Sequence, residues 1–527
     1  MKREKHIKRI SDNTITWDIV VVGGGATGIG IALDAASRGF KTVLLEQADF
    51  TKATSSRSTK LVHGGVRYLA QGDVALVVDA LHERGLMRKN APHLVKDQRF
   101  IIGTYRWWEK AFYTIGLTMY DVLAGHRSFG RSLPMRKKDV IREIPGISTK
   151  GLRGGVVYHD GQFDDSRMGI NLLQTAEEQG AVVVNYIKVT ALIKDPNGKI
   201  AGVEALDELS GQAYRLKSKA VINATGIFVD DLMQMDAPEK ENIVRPSQGV
   251  HLVVDKSFLG GDTAIMIPKT SDGRVMFGVP WHDKVVLGTT DTPMNEFVLE
   301  PKALEEEVDF ILKTSGQYLT KQPKREDVLS VFAGLRPLAA PKKSSNGKKT
   351  KEISRSHKIV TSPSGLVTIT GGKWTTYRDM AEDAVNRAIA VCGLKNVPCK
   401  TEHLHIHGYQ KKVDRSNYSY VYGSDYSRIQ EIEKEALGNA DKLHPNYDYT
   451  VAEVIWAVRE EMAITLEDVL SRRLRITFLD ARVAIDMAPK AATAMAKEMG
   501  KEAAWIQEQI SEFVSLAQNY LLVPYNP

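Results

Sequence analysis

Cysteine is nearly absent from this chain. Only Cys392 and Cys399 occur in 527 residues, and no C-x-x-C pair exists. A flavin–dithiol redox site is therefore disfavoured, and a reducing compartment is expected. Also missing is a run of the ~18 apolar residues that a spanning helix needs. Residues 1–10 are basic and lack the apolar core of a signal peptide. The expected location is cytoplasmic, at most lying on a membrane. There is no internal repeat, long low-complexity tract or nucleic-acid-binding signature. A strong charge bias is absent too: the net charge is +7, with Lys and Arg mixed among acids. That excess favours an anionic substrate or an anionic lipid surface without singling out nucleic acid. The length allows two or three domains with real cores.

What is present is organised around residues 20–28, Val-Val-Val-Gly-Gly-Gly-Ala-Thr-Gly. The apolar run at 17–22 reads as a buried strand. It meets Gly23-x-Gly25-x-x-Gly28, then a helical pattern to Arg38 that Gly39 closes. Gly23 permits the tight turn, Gly25 leaves room for a pyrophosphate, and Gly28 lets the helix press on the strand. The bare amides and positive dipole of that helix start face the phosphates. A second strand at 41–45 ends in Glu46, whose carboxylate suits a ribose hydroxyl and repels a 2′-phosphate. Strand, glycines, helix, strand and acid in this order predict a module for an adenine dinucleotide, without choosing FAD or NAD. An ordinary Gly-rich turn is the competing reading.

Residues 53–68 crowd hydroxyls, paired glycines, Arg, His and Tyr into one polar stretch, which reads as a loop holding a ligand. The string TSSRSTKLVHGGVRYL, residues 54–69, resembles the flavin loop of the FAD-dependent glycerol-3-phosphate dehydrogenases. GVPW (278–281), LGTTDT (287–292), FAGLRPL (332–338) and GGKWTTY (371–377) are similar to that family's pattern, as is EEMAITLEDVLSRRLRI (460–476). Ala224-Thr225-Gly226 ends a strand, as in related flavoproteins where that tripeptide lies near the cofactor. The similarity spans most of residues 17–480.

The resemblance implies an α/β fold of the D-amino-acid-oxidase-like superfamily. It has a discontinuous Rossmann-like FAD-binding domain, an inserted antiparallel β-sheet substrate domain and a C-terminal α-helical domain. The expected boundaries are a basic arm at 1–15, read as a solvated tail, and FAD-binding segments at 16–104, 166–244 and 359–394. Substrate-domain segments follow at 105–165 and 245–358, and the helical domain at 395–527. Strands at 182–184, 191–194 and 200–205 are expected as an inserted meander, and 342–358 as a mobile loop. In 105–125, Trp108, Phe112, Ile115, Met119 and Val122 share one helix face. A helix packed on the core is the commoner arrangement; an in-plane membrane helix with an aromatic border is the sharper reading. His403, His405 and His407 alternate but lack accompanying carboxylates or thiols, so a surface strand is expected and no metal site. The charges of 460–476 read as a solvated face.

The chemistry implied by the resemblance is oxidation of sn-glycerol 3-phosphate to dihydroxyacetone phosphate. The substrate C–H is not acidic, so hydride transfer to flavin N5 with loss of the hydroxyl proton to a base is the natural route. A phosphate clamp calls for arginine. By motif the candidates are Arg336 and Arg355, with Lys373 as a point charge and Arg67 and Tyr68 from the flavin loop. His251 is expected as base or orienting group and His63 as a flavin neighbour, and Arg336 is a candidate for stabilising a developing alkoxide. Gly23, Gly25, Gly28, Glu46, Ser55, Ser56, Thr59, Gly226, Gly372, Lys373 and Thr375 are the expected FAD contacts. The family hands electrons to a membrane quinone, and the short span between Leu335 and Gly372 favours that acceptor over oxygen. An anionic lipid surface is the expected docking partner, and a homodimer is left open. The alternatives are an oxygen-using glycerol-3-phosphate oxidase, a 2-hydroxy acid or amino acid oxidoreductase, and a non-catalytic dinucleotide sensor.

Overall fold

The Thr16–Val22 strand is apolar on both faces because both are covered. Ile19 and Val21 face one hydrophobic cluster, and Val20 and Val22 another. A computed structural model describes residues 1–69, 72–239, 241–271, 273–339 and 357–525, with only the backbone of Arg67, Tyr68 and His126. In it Thr16–Val22 lies between Thr42–Leu45 and Ala213–Asn223, parallel to both. Val182–Val184 extends this parallel sheet beyond Thr42–Leu45, and Val367–Gly371 extends it beyond Ala213–Asn223. Helices Ala26–Ser37, Asp165–Glu178 and Tyr377–Cys392 share the cluster on one face. Residues 182–184 therefore belong to the parallel sheet rather than to the meander, which runs Ile187–Lys194, Ile200–Asp207 and Ala213–Asn223. Three consecutive valines buried on both faces are the mark of an interior parallel strand.

A second, mostly antiparallel sheet carries the other wall of the site. Val244–Asp255 and Val328–Ala339 are a long pair at one end of it, with Gly249 opposite Gly334 and Ser247 opposite Arg336. Lys284–Gly288, Met276–Trp281 and Ala264–Ile267 continue it, and Ala264–Ile267 pairs in parallel with Lys96–Thr104. Lys96–Thr104 and Leu61–Val62 thus sit in this sheet, although residues 16–104 read as part of the nucleotide domain. The chain crosses from one sheet to the other within that span. The Glu305–Tyr318 helix interrupts what reads as a run of strands, burying Val308 and Ile311.

Residues 1–10 are not a loose tail. Arg3–Ile10 is a helix that buries His6 and Ile10, while Arg3 donates to Asn185 O and Asp207 Oδ1. The histidine run is no strand either. His407 is held between Glu178 and Asp425, and His405 stacks on Tyr409 at 3.7 Å.

The C-terminal region is helical, with Val451–Glu460, Ala481–Met499 and Ala503–Ala517 around a core that also takes in Val253, Trp281, Val286 and Phe332 of the second sheet. Its charged stretch faces inward rather than to solvent. Arg472, Arg473 and Arg475 are each 2% exposed. Arg472 and Arg473 share Asp49, and Arg475 reaches Asp165 at 2.7 Å. Buried arginines are tolerated because each guanidinium fork meets a carboxylate or carbonyl. Residues 342–356, within the expected mobile loop, lie outside the described residues.

Candidate functional site

The glycine turn opens a cleft between the two sheets, lined by Gly23, Gly25, Glu46, Ser55, Thr59, His63, Gly226, His251, Arg336, Gly372, Lys373 and Thr375. Gly23 has φ +109°, and a Cβ there would lie 2.6 Å from Ala224 O. Gly28 does not line the cleft; its missing side chain lets Gly23 O come to 1.8 Å of where a Cβ would be. Its role is the close helix–strand contact. Glu46 ends its strand at the cleft, and its carboxylate accepts from Gly24 N–H at 2.5 Å and Ala48 N–H at 2.9 Å. Burial pushes that carboxyl up, against the pull of the two amides.

The 51–60 loop is fastened from several sides. Ser55 Oγ accepts from Ala26 N–H at 2.9 Å, which seats the loop on the helix start. Ser55 O accepts from the Trp374 indole at 2.8 Å, and Thr54 Oγ1 donates to Leu335 O at 2.6 Å. Ser56 is 1% exposed and absent from the cleft. Its carbonyl takes Lys60 Nζ at 2.6 Å and Arg475 Nη2 at 3.0 Å, so it anchors the loop and does not meet a ligand. Arg57, Lys52, Thr54 and Ser58 line the cleft without having been singled out. Their polar type within the loop was the available signal, but the loop read as one ligand-binding stretch with no division between lining and anchoring residues.

The second sheet brings Arg336 and His251 to the cleft. Arg336 projects over Gly249 and donates to Thr289 Oγ1 at 3.1 Å, with Asp291 at 3.4 Å. Asp291 also accepts from Ser247 Oγ. His251 is 2% exposed and stacks on Phe332 at 4.9 Å. Its Nε2 shares a hydrogen with Thr59 Oγ1 at 2.9 Å. Burial, then Arg336 and Lys60, hold this imidazole well below its ordinary pKa, so it is neutral. Lys60 is fully buried among Trp281, Phe332 and Phe478 and pairs with Asp165 at 2.7 Å. Burial brings its ammonium down to about 7. His63 takes its place through Thr375: its N–H donates to Thr375 Oγ1 at 3.2 Å, and that hydroxyl returns a bond to His63 O at 3.4 Å.

The cleft thus brings together His63, His251, Arg336 and Lys373 with the dinucleotide turn. The side chains of Arg67 and Tyr68, and all of Arg355, lie outside the described residues.

Comparison with known proteins is consistent along the chain. Residues 18–378 match the family described as FAD dependent oxidoreductase, and residues 399–506 the C-terminal domain of alpha-glycerophosphate oxidase. The mitochondrial glycerol-3-phosphate dehydrogenase of Saccharomyces cerevisiae is 37% identical, over 94% of this chain and 88% of its own. The chain belongs to the FAD-dependent glycerol-3-phosphate dehydrogenase family. The mitochondrial enzyme of Homo sapiens is 38% identical, over 97% of this chain and 74% of its own. The X-ray structure of glycerol-3-phosphate dehydrogenase from Bacillus halodurans complexed with FAD superposes with a TM-score of 0.81. It is 28% identical and covers 99% of both chains. L-alpha-glycerophosphate oxidase from Mycoplasma pneumoniae, 16% identical with a TM-score of 0.58 over 73% of this chain, shares the fold.

The residues present fit FAD. The lining glycines leave the backbone bare, because side chains at Gly23 and Gly25 would strike Ala224 O at 2.6 Å and Ser55 Oγ at 3.1 Å. The Glu46 carboxylate stands at the second strand's end, and the Ala26–Ser37 helix points its amino end at the cleft.

Proposed function

We propose that this protein oxidises sn-glycerol 3-phosphate to dihydroxyacetone phosphate and passes the electrons to a membrane quinone. The observation that carries this reading is that Arg336 and Lys373 line the same cleft as the Gly23-x-Gly25 turn. Two cations beside a dinucleotide site suit a small anion, and a forked guanidinium suits phosphate. When bound, FAD supplies the hydride acceptor at N5. Gly23, Gly25, Ser55, Gly226, Gly372 and Thr375, which line the cleft, would hold it, and Glu46 would meet the ribose.

The chain's own residues then divide the work. Arg336 is kept in place by Thr289 and Asp291, so it meets the phosphate without first being ordered. Lys373 adds a second positive charge. Arg67, Tyr68 and Arg355 keep the clamp roles that the family resemblance gives them. Neutral His251, bonded to Thr59 at the cleft wall, backs an acceptor for the substrate hydroxyl proton. Burial and the nearby cations that keep it neutral also oppose its taking up a full charge, so His251 serves as an orienting hydrogen-bond partner beside Thr59.

The Glu109–Ala124 helix supports a peripheral position on the inner face of the cytoplasmic membrane. Of the two arrangements open to it, the apolar stripe points outward: Phe112 is 60% exposed, Ile115 65% and Val122 74%, while Leu117 and Tyr120 are buried. Trp107, 82% exposed, borders it. Single exposed apolar residues are ordinary, but a contiguous stripe marks an interaction surface. Among the described residues no helix is long and apolar enough to cross a membrane.

The test is anaerobic bleaching of the yellow holoprotein by sn-glycerol 3-phosphate, with glycerol and lactate as controls. Bleaching by the phosphate ester alone is expected, and equal bleaching by lactate would replace this substrate with a carboxylate. Reoxidation by a ubiquinone analogue should outpace that by oxygen; stoichiometric peroxide without quinone would make the protein an oxidase. Flotation with anionic vesicles at low salt tests the membrane position, and no co-migration counts against it.

A further inference from the structure

The exposed helix is tied to the flavin cleft by one buried side chain. Tyr120 lies on the inner face of Glu109–Ala124 and is 1% exposed, opposite the outward Phe112, Ile115, Met119 and Val122. Its hydroxyl accepts from Gly64 N–H at 2.8 Å and donates to Asp160 Oδ2 at 2.9 Å. Asp160 Oδ1 is held by Arg84 at 2.5 Å. Gly64 follows His63, the residue that lines the cleft and is clamped both ways to Thr375. A side chain at Gly64 would come within 2.6 Å of the Tyr120 oxygen, so the loop backbone lies directly against the ring.

The arrangement does more than fill a core. A phenylalanine would fill the cluster of Val77, Leu81 and Ala124 equally well. A phenol is needed only to satisfy a loop amide and a buried carboxylate at once. Through them, the helix and the His63 end of the loop belong to one hydrogen-bonded network that reaches the cleft wall.

We propose that Tyr120 is a positioning residue that couples the outer face of this helix to the flavin loop. Seating the apolar stripe on a lipid bilayer fixes the helix, and Tyr120 hands that restraint to Gly64–His63 and so to the site of substrate oxidation. The inference rests on the membrane position proposed above.

The experiment uses the FAD-loaded full chain with and without vesicles of phosphatidylglycerol and phosphatidylcholine. Three readouts are taken: flotation, the stopped-flow rate of flavin reduction by sn-glycerol 3-phosphate without quinone, and amide exchange in the peptide spanning residues 61–66. Expected for the unaltered protein are co-flotation, a several-fold change in reduction rate and slower exchange at 61–66. Tyr120→Phe should float equally, while its reduction rate no longer responds to vesicles. The outer-face pair Phe112→Ser and Ile115→Ser should lose flotation and the response together, keeping the vesicle-free rate. An equal vesicle response in Tyr120→Phe overturns the proposal. If Tyr120→Phe does not hold FAD, exchange at 61–66 in the unaltered protein decides, and no change there on flotation overturns it. Flotation with no change in rate also overturns it and leaves the membrane position standing. Absence of flotation removes the membrane position, and the proposal with it.

Discussion

The guanidinium of Arg336 occupies the space above Gly249: a Cβ at residue 249 would lie 2.1 Å from Arg336 Nη2. The two residues sit on the paired strands Val244–Asp255 and Val328–Ala339. Gly249 is thus the floor over which the Arg336 guanidinium, the proposed clamp, reaches the cleft. Gly249→Ala should push Arg336 aside while leaving the dinucleotide turn untouched. A charged hydrogen bond is worth about 1.5–3 kcal/mol, or roughly 10- to 150-fold. Both Arg336→Ala and Gly249→Ala should lower kcat/KM for sn-glycerol 3-phosphate by about that factor, with FAD retained. Steady-state kinetics alongside the flavin absorbance check this. Unchanged kinetics in Arg336→Ala would remove it from the clamp.

Gly28 tests the turn itself. A methyl group there would lie 1.8 Å from Gly23 O, a backbone atom that no rotamer change can move. Gly28→Ala should drive the Ala26–Ser37 helix off its strand and open the pyrophosphate seat. Overpacking of this kind costs about 1–3 kcal/mol or more. The purified variant should be colourless or lose FAD on gel filtration, with a lower thermal midpoint. Gly180→Ala serves as comparison: Gly180 meets nothing within 4 Å, although its φ of +95° carries some strain of its own.

Two histidines, half-buried His407 and buried His251, should set opposite pH trends in stability. His407, pinned between Glu178 and Asp425, is raised to about 9; burial opposes the shift but the two carboxylates win. Its contribution is complete below the unfolded value of about 6.5 and is lost as pH rises through about 9. His251 is depressed, so its contribution is present above about 6.5 and falls away as pH drops below it. The thermal midpoint of His407→Gln should therefore lie furthest below that of the unaltered protein in mild acid. The two should converge in alkali. A gap that is constant with pH would mean that His407 is neutral in the fold.

Much of this architecture was legible because it rests on local chemistry. The Gly23-x-Gly25-x-x-Gly28 turn, the strand ending at Glu46 and the returning Gly371-Gly372-Lys373 turn each carry their reason in their own residues. What escaped depends on partners far away in sequence. Ser56 looked like its neighbour Ser55, but its carbonyl is held by Lys60 and by Arg475, the latter more than four hundred residues on. Arg472 and Arg473 looked solvated because their acceptor is Asp49. The stripe on Glu109–Ala124 was visible by period, yet period alone does not say whether an apolar face meets the core or the outside. Leu117 and Tyr120, on the opposite side, decide it.

The C-terminal domain should hold FAD without touching it. Arg475 joins Ser56 O at 3.0 Å to Asp165 Oδ1 at 2.7 Å, and Asp165 in turn carries Lys60 and Ser58. Arg57, from the same loop, reaches Glu300 at 2.6 Å and Tyr520 at 3.1 Å. Removing one member of a buried ion network costs about 3–5 kcal/mol, since it strands the partner charge. Arg475→Ala should loosen residues 54–60 and raise the FAD dissociation constant, while the second sheet keeps Arg336 in place. Arg475→Lys should not restore binding, because an ammonium lacks the fork that meets a carbonyl and a carboxylate together. Equilibrium dialysis of FAD with the three proteins checks the order, and full recovery by lysine would mean that charge alone holds the loop.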